Sequence, residues 1–568
     1  MSGYTGKSIR IDLASKRAEV FNTPMDLCEQ YLGGRGIGVA MIADRITHDY
    51  DSPEMPLIFA TGPLVGTLAP TSGRMSVISR SPLTKTIFDC SVGGKVGTEL
   101  KKAGYDFLEI TGVSENWVIL DIENEKVFLE DAANLYGKNI SEVTSIIGTD
   151  GSNAIIGVAG EKQVKFASIV FDGHYCAGRG GLGAVMGAKR LKAIKVRGSG
   201  RISVADPQGI KNAREDIMRL LRASPAVFGE FGLSEFGTAA LVDLIHSRRM
   251  EPTENFRRTL FEGAASYSGY NLKKHYNSKK TGCAGCPILC KKIGSKGNVI
   301  PEFETVSHFG ALNGCSDIEK IVEANTICNE YGMDTISAAS TIACYSEIND
   351  KKLSPEEMIN MLISIGNRQD IGDSLAEGSF VYASSTGHPE LSMSVKRLEL
   401  PAYDPRGAFG MALAYATSNR GGCHLRAYPI SHEILRKPVS TDRFSFEGKA
   451  RMIKIAEDMN AAVDSLTACK FVFFAASLEE YSKAINAVTG KSYDVQTLLK
   501  IGEKIWNLER HLNQLNGFNE SHDDLPERFF NEEGSSSPNV KILPINRDEF
   551  LKARNDYYRI RGYCAETD

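Results

Sequence analysis

Much that would place this chain at once is missing from it. No stretch reaches the ~18 to 20 apolar residues that cross a bilayer, which excludes a membrane span. The start, MSGYTGKSIRIDLASK, has no apolar core after a basic opening, so a cytoplasmic protein is expected. The net charge is -4 with both signs interspersed, leaving no basic stripe for a nucleic-acid backbone. Only one C-x2-C occurs, where zinc ribbons pair two. A Walker loop is absent, and GGRGIG at 33–38 has the wrong glycine spacing for a Rossmann turn and follows the helix-like LCEQYL.

What is present is an ordinary soluble composition, 42% apolar and 24% charged, in 568 residues. At roughly 100 to 200 residues per domain, about three to four domains are expected. Up to about Gly200, short β-rich runs alternate with Gly-rich turns: KSIRIDL, LIFATGPL, MSVISRS, FLEITGV, WVILDI, AIIGVAG, VKFASIVF and LKAIKVRG. Two sheets are the reading. Helical periodicity then takes over in ADPQGIKNAREDIMRLLRAS, DIEKIVEANTICNEYG, TISAASTIACYSEI, SPEEMINMLISIG and DSLAEGSFVYASSTG, each ending in glycine or preceded by a Ser or Asp cap. The periodicity breaks at Pro401 and Pro405, giving expected domains of 1–202, 203–400 and 401–568. NEEGSSSPN at 531–539 reads as an exposed connection.

Twelve cysteines in a reducing compartment point to metal binding or burial. Cys283, Cys286 and Cys290 form C-x2-C-x3-C, the reverse of the radical-SAM order. Three close thiols plus a distant fourth suit an iron–sulfur cubane. Spacing leaves the fourth open among nine others. Cys328 and Cys344 fall on apolar helix faces, and Cys564 is four residues from the end.

Four segments are unusually glycine-rich: 33–38, 62–75, 90–97 and 178–193. Glycine permits close backbone approach and anion-binding nests, and Arg35, Arg74 and Arg179 stand beside three of them. Gly93, Gly94, Gly181, Gly183 and Ala184 join these arginines as candidate contacts to one large phosphate-bearing cofactor. The competing reading is tight turns between short strands.

In GGRGIG, SGRMSV, RGGLGAVMGAKRLKAI, CAGCPILC, PEFETV, YGMDTIS, NRGGCHLRAYP and DSLTACKF, the chain resembles the tungsten-containing aldehyde ferredoxin oxidoreductases. The resemblance implies an α+β fold, with an N-terminal domain of two β-sheets as the pterin base and two mainly helical domains closing over it. It implies a bis-pyranopterin tungsten (or molybdenum) cofactor, a Mg2+ ion bridging the pterin phosphates, and one four-iron, four-sulfur cluster. Its fourth cluster ligand is Cys469. Asp334 and Asp464 would grip one pterin each, Arg426 would contact a pterin, and Arg74 would lie between cofactor and cluster. For Asp334 the alternative is a helix cap.

Aldehyde oxidation needs water added to a carbonyl carbon, two electrons removed and protons carried off. His424 matches the family's histidine near the metal and is the expected hydrogen-bonder to an oxo group or substrate oxygen. Glu304 is the expected general base, with Glu302 and His308 as competitors. Ferredoxin or a small iron–sulfur subunit would take the electrons. The E-x-x-H motif that holds a dimer metal in some members is missing, so a homodimer or hetero-oligomer stays open. Cys315 in ALNGCSD raises an alternative, a tungsten aromatic acyl-CoA reductase with a thiolate on the metal. A non-catalytic iron–sulfur subunit is the third possibility.

Overall fold

The computed structural model describes residues 2–563. Twelve strands build two six-stranded mixed sheets: β1 (Lys7–Asp12), β2 (Arg17–Asn22), β3 (Leu57–Ala60), β4 (Met75–Arg80), β5 (Ile87–Val92), β6 (Phe107–Thr111), β7 (Val118–Glu123), β8 (Lys126–Asp131), β9 (Ser152–Ile155), β10 (Ile169–Phe171), β11 (Tyr175–Ala177) and β12 (Leu191–Arg197). The first sheet runs β2-β1-β6-β3-β4-β5 and the second β11-β10-β9-β12-β7-β8. In each, one pair is parallel, β1 with β6 and β12 with β7. The rest of the chain is mainly helical, so the expected α+β class holds.

Period-2 alternation explains the layering. Leu57 and Phe59 of β3 join a core shared with Ile169 and Phe171 of β10, and the Phe59 and Phe171 rings lie 6.4 Å apart. The residues between them in sequence, Ile58 and Val170, face two other clusters, beneath the helices Gly34–Ile42 and Ile140–Ile147. Each sheet therefore has one face toward the common core and one under a helix.

All eight β-rich runs contain a strand. Four strands were not legible: β2 and β8 are edge strands that expose most of their side chains, β11 has three residues, and β5 interrupts its apolar run with Asp89. The second half of AIIGVAG turns into the short helix Val158–Glu161.

The helix caps fall where the sequence signals them. Asp206, Asp317 and Asp334 accept from the first free amides of Pro207–Ala223, Ile318–Tyr331 and Thr335–Ile348, and Ser354 forms a capping box for Pro355–Asn367. DSLAEGSFVYASSTG is a correction: it holds the end of one helix, Ile371–Leu375, and a second, Ser379–Ser385, broken at Gly378 with φ +90°. The 531–539 connection is strapped at its middle, where Ser535 and Thr259 exchange two hydrogen bonds. Among the described residues no helix is long and apolar enough to cross a membrane. Cys564 lies outside them.

Candidate active site

A cavity of about 1020 Å³ opens between the sheets and the helices. β5 supplies Asp89, Cys90 and Ser91, followed by Gly93; the turn after β11 supplies Arg179; the start of helix Thr335–Ile348 supplies Asp334. The loop after helix Phe409–Thr417 supplies Arg420, Cys423, His424, Arg426 and Tyr428, and the end of helix Lys449–Ser465 supplies Asp464. Of the cysteines in the candidate cluster set, Cys283, Cys290 and Cys469 line it.

At one end the C-x2-C-x3-C segment is the tip of a hairpin whose legs are Lys279–Thr281 and Lys291–Ile293. The tip packs on the Gly93 turn: the Ala284 amide reaches the Gly94 carbonyl at 3.4 Å, and a Cβ at Gly93 would collide with Cys283 Sγ. Burial first, and then charge on Cys469, pushes the Cys286 thiol up to about 12. Arg74 Nη1 stands 4.0 Å from Cys469 Sγ, while its Nε and Nη2 are held by Ser91 at 2.9 and 2.6 Å. Among the described residues no three His, Cys, Asp or Glu side chains come together closely enough to hold a single ion.

Beside this end lies a buried charge network. Arg35 makes a two-pronged pair with Glu509, both bonds 2.6 Å, and reaches Asp464 at 3.3 Å. Arg426 pairs with Asp89 and lies 3.5 Å from Asp464, whose Oδ2 also receives Lys470 Nζ at 3.0 Å. Glycine makes this approach possible: a Cβ at Gly34 would come 2.5 Å from the Asp464 carbonyl. Arg35 does not line the cavity; it braces Asp464 from behind.

Asp334 is both cavity wall and helix cap. Its oxygens accept from the amides of Ile336 and Ser337 at 3.3 and 3.2 Å, from Ser337 Oγ at 2.8 Å and from Arg179 Nε at 3.3 Å. Arg179 spends its remaining donors on the Gly422 and Glu399 carbonyls, at 2.9 and 2.7 Å.

Glu304 and His424 face each other in the same cavity, Oε1 to Nε2 at 3.5 Å. The helix Phe303–Phe309 sets Glu304, and the Ala402 amide holds its Oε2 at 2.8 Å. Burial pushes this carboxyl up to about 8, while burial and then the Arg179 and Arg420 cations hold His424 well below its ordinary range. Tyr403 and Tyr428 flank the imidazole at 5.6 and 6.1 Å between ring centres, and their hydroxyls share a 3.2 Å hydrogen bond.

The competitors are otherwise engaged. Glu302 also lines the cavity but pairs with Lys291 at 2.9 Å, and that charge holds it below the usual carboxylate range. His308 does not line the cavity: its ring nitrogens face the Glu304 and Leu400 carbonyls at 2.7 and 3.2 Å, and burial lowers it to about 4. Cys315 packs into the core behind, with Asp317 O its nearest polar partner at 3.9 Å. Gly94, Gly181, Gly183 and Ala184 also lie off the cavity. Gly183 lets its helix close on the Ser168 carbonyl, and Ala184 O accepts from Gln163 at 3.0 Å.

Sequence reasoning did not single out Asp89, Arg420, Tyr403, Tyr428, Lys470 or a functional Cys423. Asp89 had a signal, a lone charge inside an apolar strand. Arg420 and Cys423 had a weaker one, the same glycine-flanked NRGGCHLR segment as His424. In the structure Arg420, Arg426, Arg179 and Lys470 surround Cys423, and they outweigh the burial that opposes its ionisation.

Among the described residues, six buried atoms of cavity-lining side chains have no hydrogen-bond partner: His174 Nε2, Glu304 Oε1, Arg420 Nε, His424 Nδ1, Arg426 Nε and Asp464 Oδ1. Buried polar groups left unpaired are costly, so they mark where something polar sits. A large cavity with that unspent capacity, next to the cysteine hairpin, is suited to a cofactor-dependent oxidoreductase.

The comparisons narrow this. The family model for the N-terminal domain of aldehyde ferredoxin oxidoreductase matches residues 8–198, and that for its domains 2 and 3 matches residues 212–567. The tungsten-containing aldehyde ferredoxin oxidoreductase of Pyrococcus furiosus is 40% identical over 100% of this chain and 97% of its own length, and that of Thermococcus kodakarensis 39% over the same shares. The chain belongs to the aldehyde ferredoxin oxidoreductase family. Its fold is also that of the solved active-site complex of benzoyl coenzyme A reductase, with a TM-score of 0.84 and 24% identity over 99% of this chain and 95% of that one.

Proposed function

We propose that the chain oxidises an aldehyde to the carboxylic acid, with water as the oxygen source, and passes the electrons through a four-iron, four-sulfur cluster to ferredoxin or a small iron–sulfur subunit. The cluster would be held by Cys283, Cys286, Cys290 and Cys469. The six unpaired buried atoms carry this reading. Asp464 Oδ1 can accept from a pterin N–H, and Arg426 Nε and Arg420 Nε can donate to pterin acceptors or phosphate oxygens. The cavity of about 1020 Å³ is large enough for two pterins. A Mg2+ ion bridging their phosphates belongs to the same reading, as do tungsten or molybdenum.

When bound, the metal–pterin group would supply the two-electron acceptor. The chain's own residues do the rest. Glu304, ionised, takes a proton from the attacking water at Oε1. Its high proton affinity suits a base working near neutral pH. Neutral His424 donates one hydrogen bond from Nδ1 to the substrate oxygen, and its Nε2 can accept from Glu304 Oε1 once that oxygen carries the proton. Tyr403, Tyr428 and Phe474 surround this end with apolar surface and exclude bulk water.

The test is an anaerobic assay of holoprotein with viologen dye against aliphatic, aromatic and sugar-derived aldehydes, with an aromatic acyl-CoA as contrast. Dye reduction by an aldehyde, in protein holding about four iron and one tungsten or molybdenum per chain, is the expected result. Acyl-CoA chemistry alone would replace this reading with the reductase one, and iron without tungsten or molybdenum would leave an electron-transfer subunit.

A further inference from the structure

Two hydroxyls stand beside the Glu304–His424 pair with fewer partners than their burial calls for. Tyr403 and Tyr428 both line the cavity, and among the described residues the only hydrogen bond of either hydroxyl is the one they share, at 3.2 Å. Burial holds both phenols above their ordinary ionisation range, so each keeps its proton near neutral pH. Two phenols carry two protons, and the shared bond uses one of them. One O–H donor therefore has no acceptor in the protein, where a buried unpaired donor is costly.

The backbone sets which tyrosine has the spare donor. Tyr403 follows Ala402, whose amide holds Glu304 Oε2 at 2.8 Å, and its ring packs 5.1 Å from that of Phe303 in the helix that carries Glu304. At 2% exposure it is fully enclosed. Tyr428 comes from the other wall. Its amide donates to the His424 carbonyl at 3.0 Å, closing a single turn, and its φ of +52° ends that turn in the left-handed region. A tyrosine there is uncommon, since glycine or asparagine adopts that backbone more easily. One turn on from His424, it returns to the same side of the loop. Its ring is half-buried, 6.1 Å from that of His424 and 5.8 Å from that of Phe474. Tyr403 is the anchored member of the pair, and Tyr428 is the member with a free side.

We propose that the Tyr428 hydroxyl, oriented by Tyr403, is a second hydrogen-bond donor to the aldehyde oxygen, acting beside His424 Nδ1. The proposal rests on the aldehyde-oxidising reading above. The shared bond then runs from the Tyr403 hydroxyl to the Tyr428 oxygen, and accepting it strengthens Tyr428 as a donor. A carbonyl oxygen has two lone pairs, so it can take both donors. As water adds to the carbon and Glu304 takes its proton, that oxygen becomes negative, and both bonds grow stronger than in the bound aldehyde. Tyr428 makes no bond to carbon and keeps its proton throughout. Tyr403 touches no substrate and is a positioning residue.

The experiment compares holoprotein with Tyr428→Phe, Tyr403→Phe and the double variant, using viologen dye, the best aldehyde of the panel and a check of metal content in each. Tyr428→Phe should lower kcat roughly 10- to 100-fold with KM within about threefold, as expected for a donor that acts in the transition state. Tyr403→Phe should cost less, about 3- to 10-fold, because Tyr428 keeps its proton but loses its aim. The double variant should be within about twofold of Tyr428→Phe, since one tyrosine acts through the other. Wild-type kcat in Tyr428→Phe would overturn the donor, and so would losses that simply multiply in the double variant. If Tyr428→Phe does not hold its metal, Tyr403→Phe decides: a fall in kcat at constant KM supports the proposal, and unchanged kcat removes it. If the wild-type protein oxidises no aldehyde, the functional reading fails. Calorimetric binding of benzamide, a neutral carbonyl acceptor, to holoprotein then tests the donor alone: roughly 5- to 10-fold weaker binding to Tyr428→Phe supports it, and equal binding or none removes it.

Discussion

Two walls of the cavity differ in how they use their polar groups. One is made by the starts of helices Phe303–Phe309 and Thr335–Ile348 and holds Glu302, Glu304 and Asp334, with His308 behind. Glu302 has Lys291, His308 has two carbonyls, and Asp334 has two amides, a hydroxyl and Arg179. The other wall is the loop from Arg420 to Tyr428 with Asp464 beside it, where Arg420, His424, Arg426 and Asp464 each leave a buried atom unpaired. The first wall completes itself, and the second is complete only with a ligand. Glu304 is the exception on the first wall: its Oε1 is unpaired and turned toward His424. The contrast separates holding from chemistry.

The largest expected effect tests that exception. Glu304→Gln should lower kcat by roughly 10²- to 10⁴-fold while tungsten content stays at the wild-type level. The pH profile follows from the carboxyl's position near 8: the base form fills as pH rises through about 8, so wild-type kcat/KM should climb on that limb and the Gln variant should be flat. Stability runs the other way. A raised carboxyl contributes most below its unfolded pKa of about 4.5, and that contribution is lost as pH rises through about 8, so Glu304→Gln should lose less stability across this window than wild type. Wild-type turnover by the Gln variant would move the base to another group.

Cys469→Ala removes the cysteine supplied by the helix-end segment, not by the hairpin. The four-iron electron paramagnetic resonance signal of the reduced protein should be lost or converted to a three-iron signal, with dye-linked turnover falling accordingly. An intact four-iron signal would return the fourth ligand to the other cysteines. A smaller effect is expected for Asp464→Asn, which keeps the shape and removes the charge shared by Arg35, Arg426 and Lys470. Retention of tungsten through gel filtration should weaken by roughly 10- to 100-fold, the cost of spoiling a charged buried hydrogen bond and its neighbours.

The sequence made the strand-then-helix order readable because alternation and caps are local signals. The three-cysteine motif and the caps at Asp206, Asp317 and Ser354 were legible for the same reason, although the hairpin that carries the motif was not. The cavity was not, because its walls meet across hundreds of residues: Arg35 braces Asp464 from 429 positions away, and Asp89 meets Arg426 from 337. Glycine was the instructive case. GGRGIG and its counterparts suggested nests for phosphate, whereas Gly34, Gly93 and Gly183 bring backbone against carbonyl or sulfur, and the composition of such a segment is the same for either use. Edge strands such as β2 escaped because an exposed strand has no apolar run to show.

The smallest effect is the sharpest test of the two walls, because Asp334 and Asp464 come from the same resemblance with the same implied role. Asparagine caps a helix about as well as aspartate, so Asp334→Asn should keep the bonds from Ile336 and Ser337 and lose mainly the charge opposite Arg179. That pair is buried, yet Arg179 retains the Gly422 and Glu399 carbonyls and the Glu399 carboxylate at 3.8 Å. A cost of about 1 to 2 kcal/mol in thermal unfolding is expected, with tungsten content within twofold of wild type. If Asp334→Asn instead sheds tungsten as readily as Asp464→Asn, the carboxylate must exchange its cap bonds for pterin bonds on binding. The first wall would then be as incomplete as the second, with its deficit hidden by the helix start.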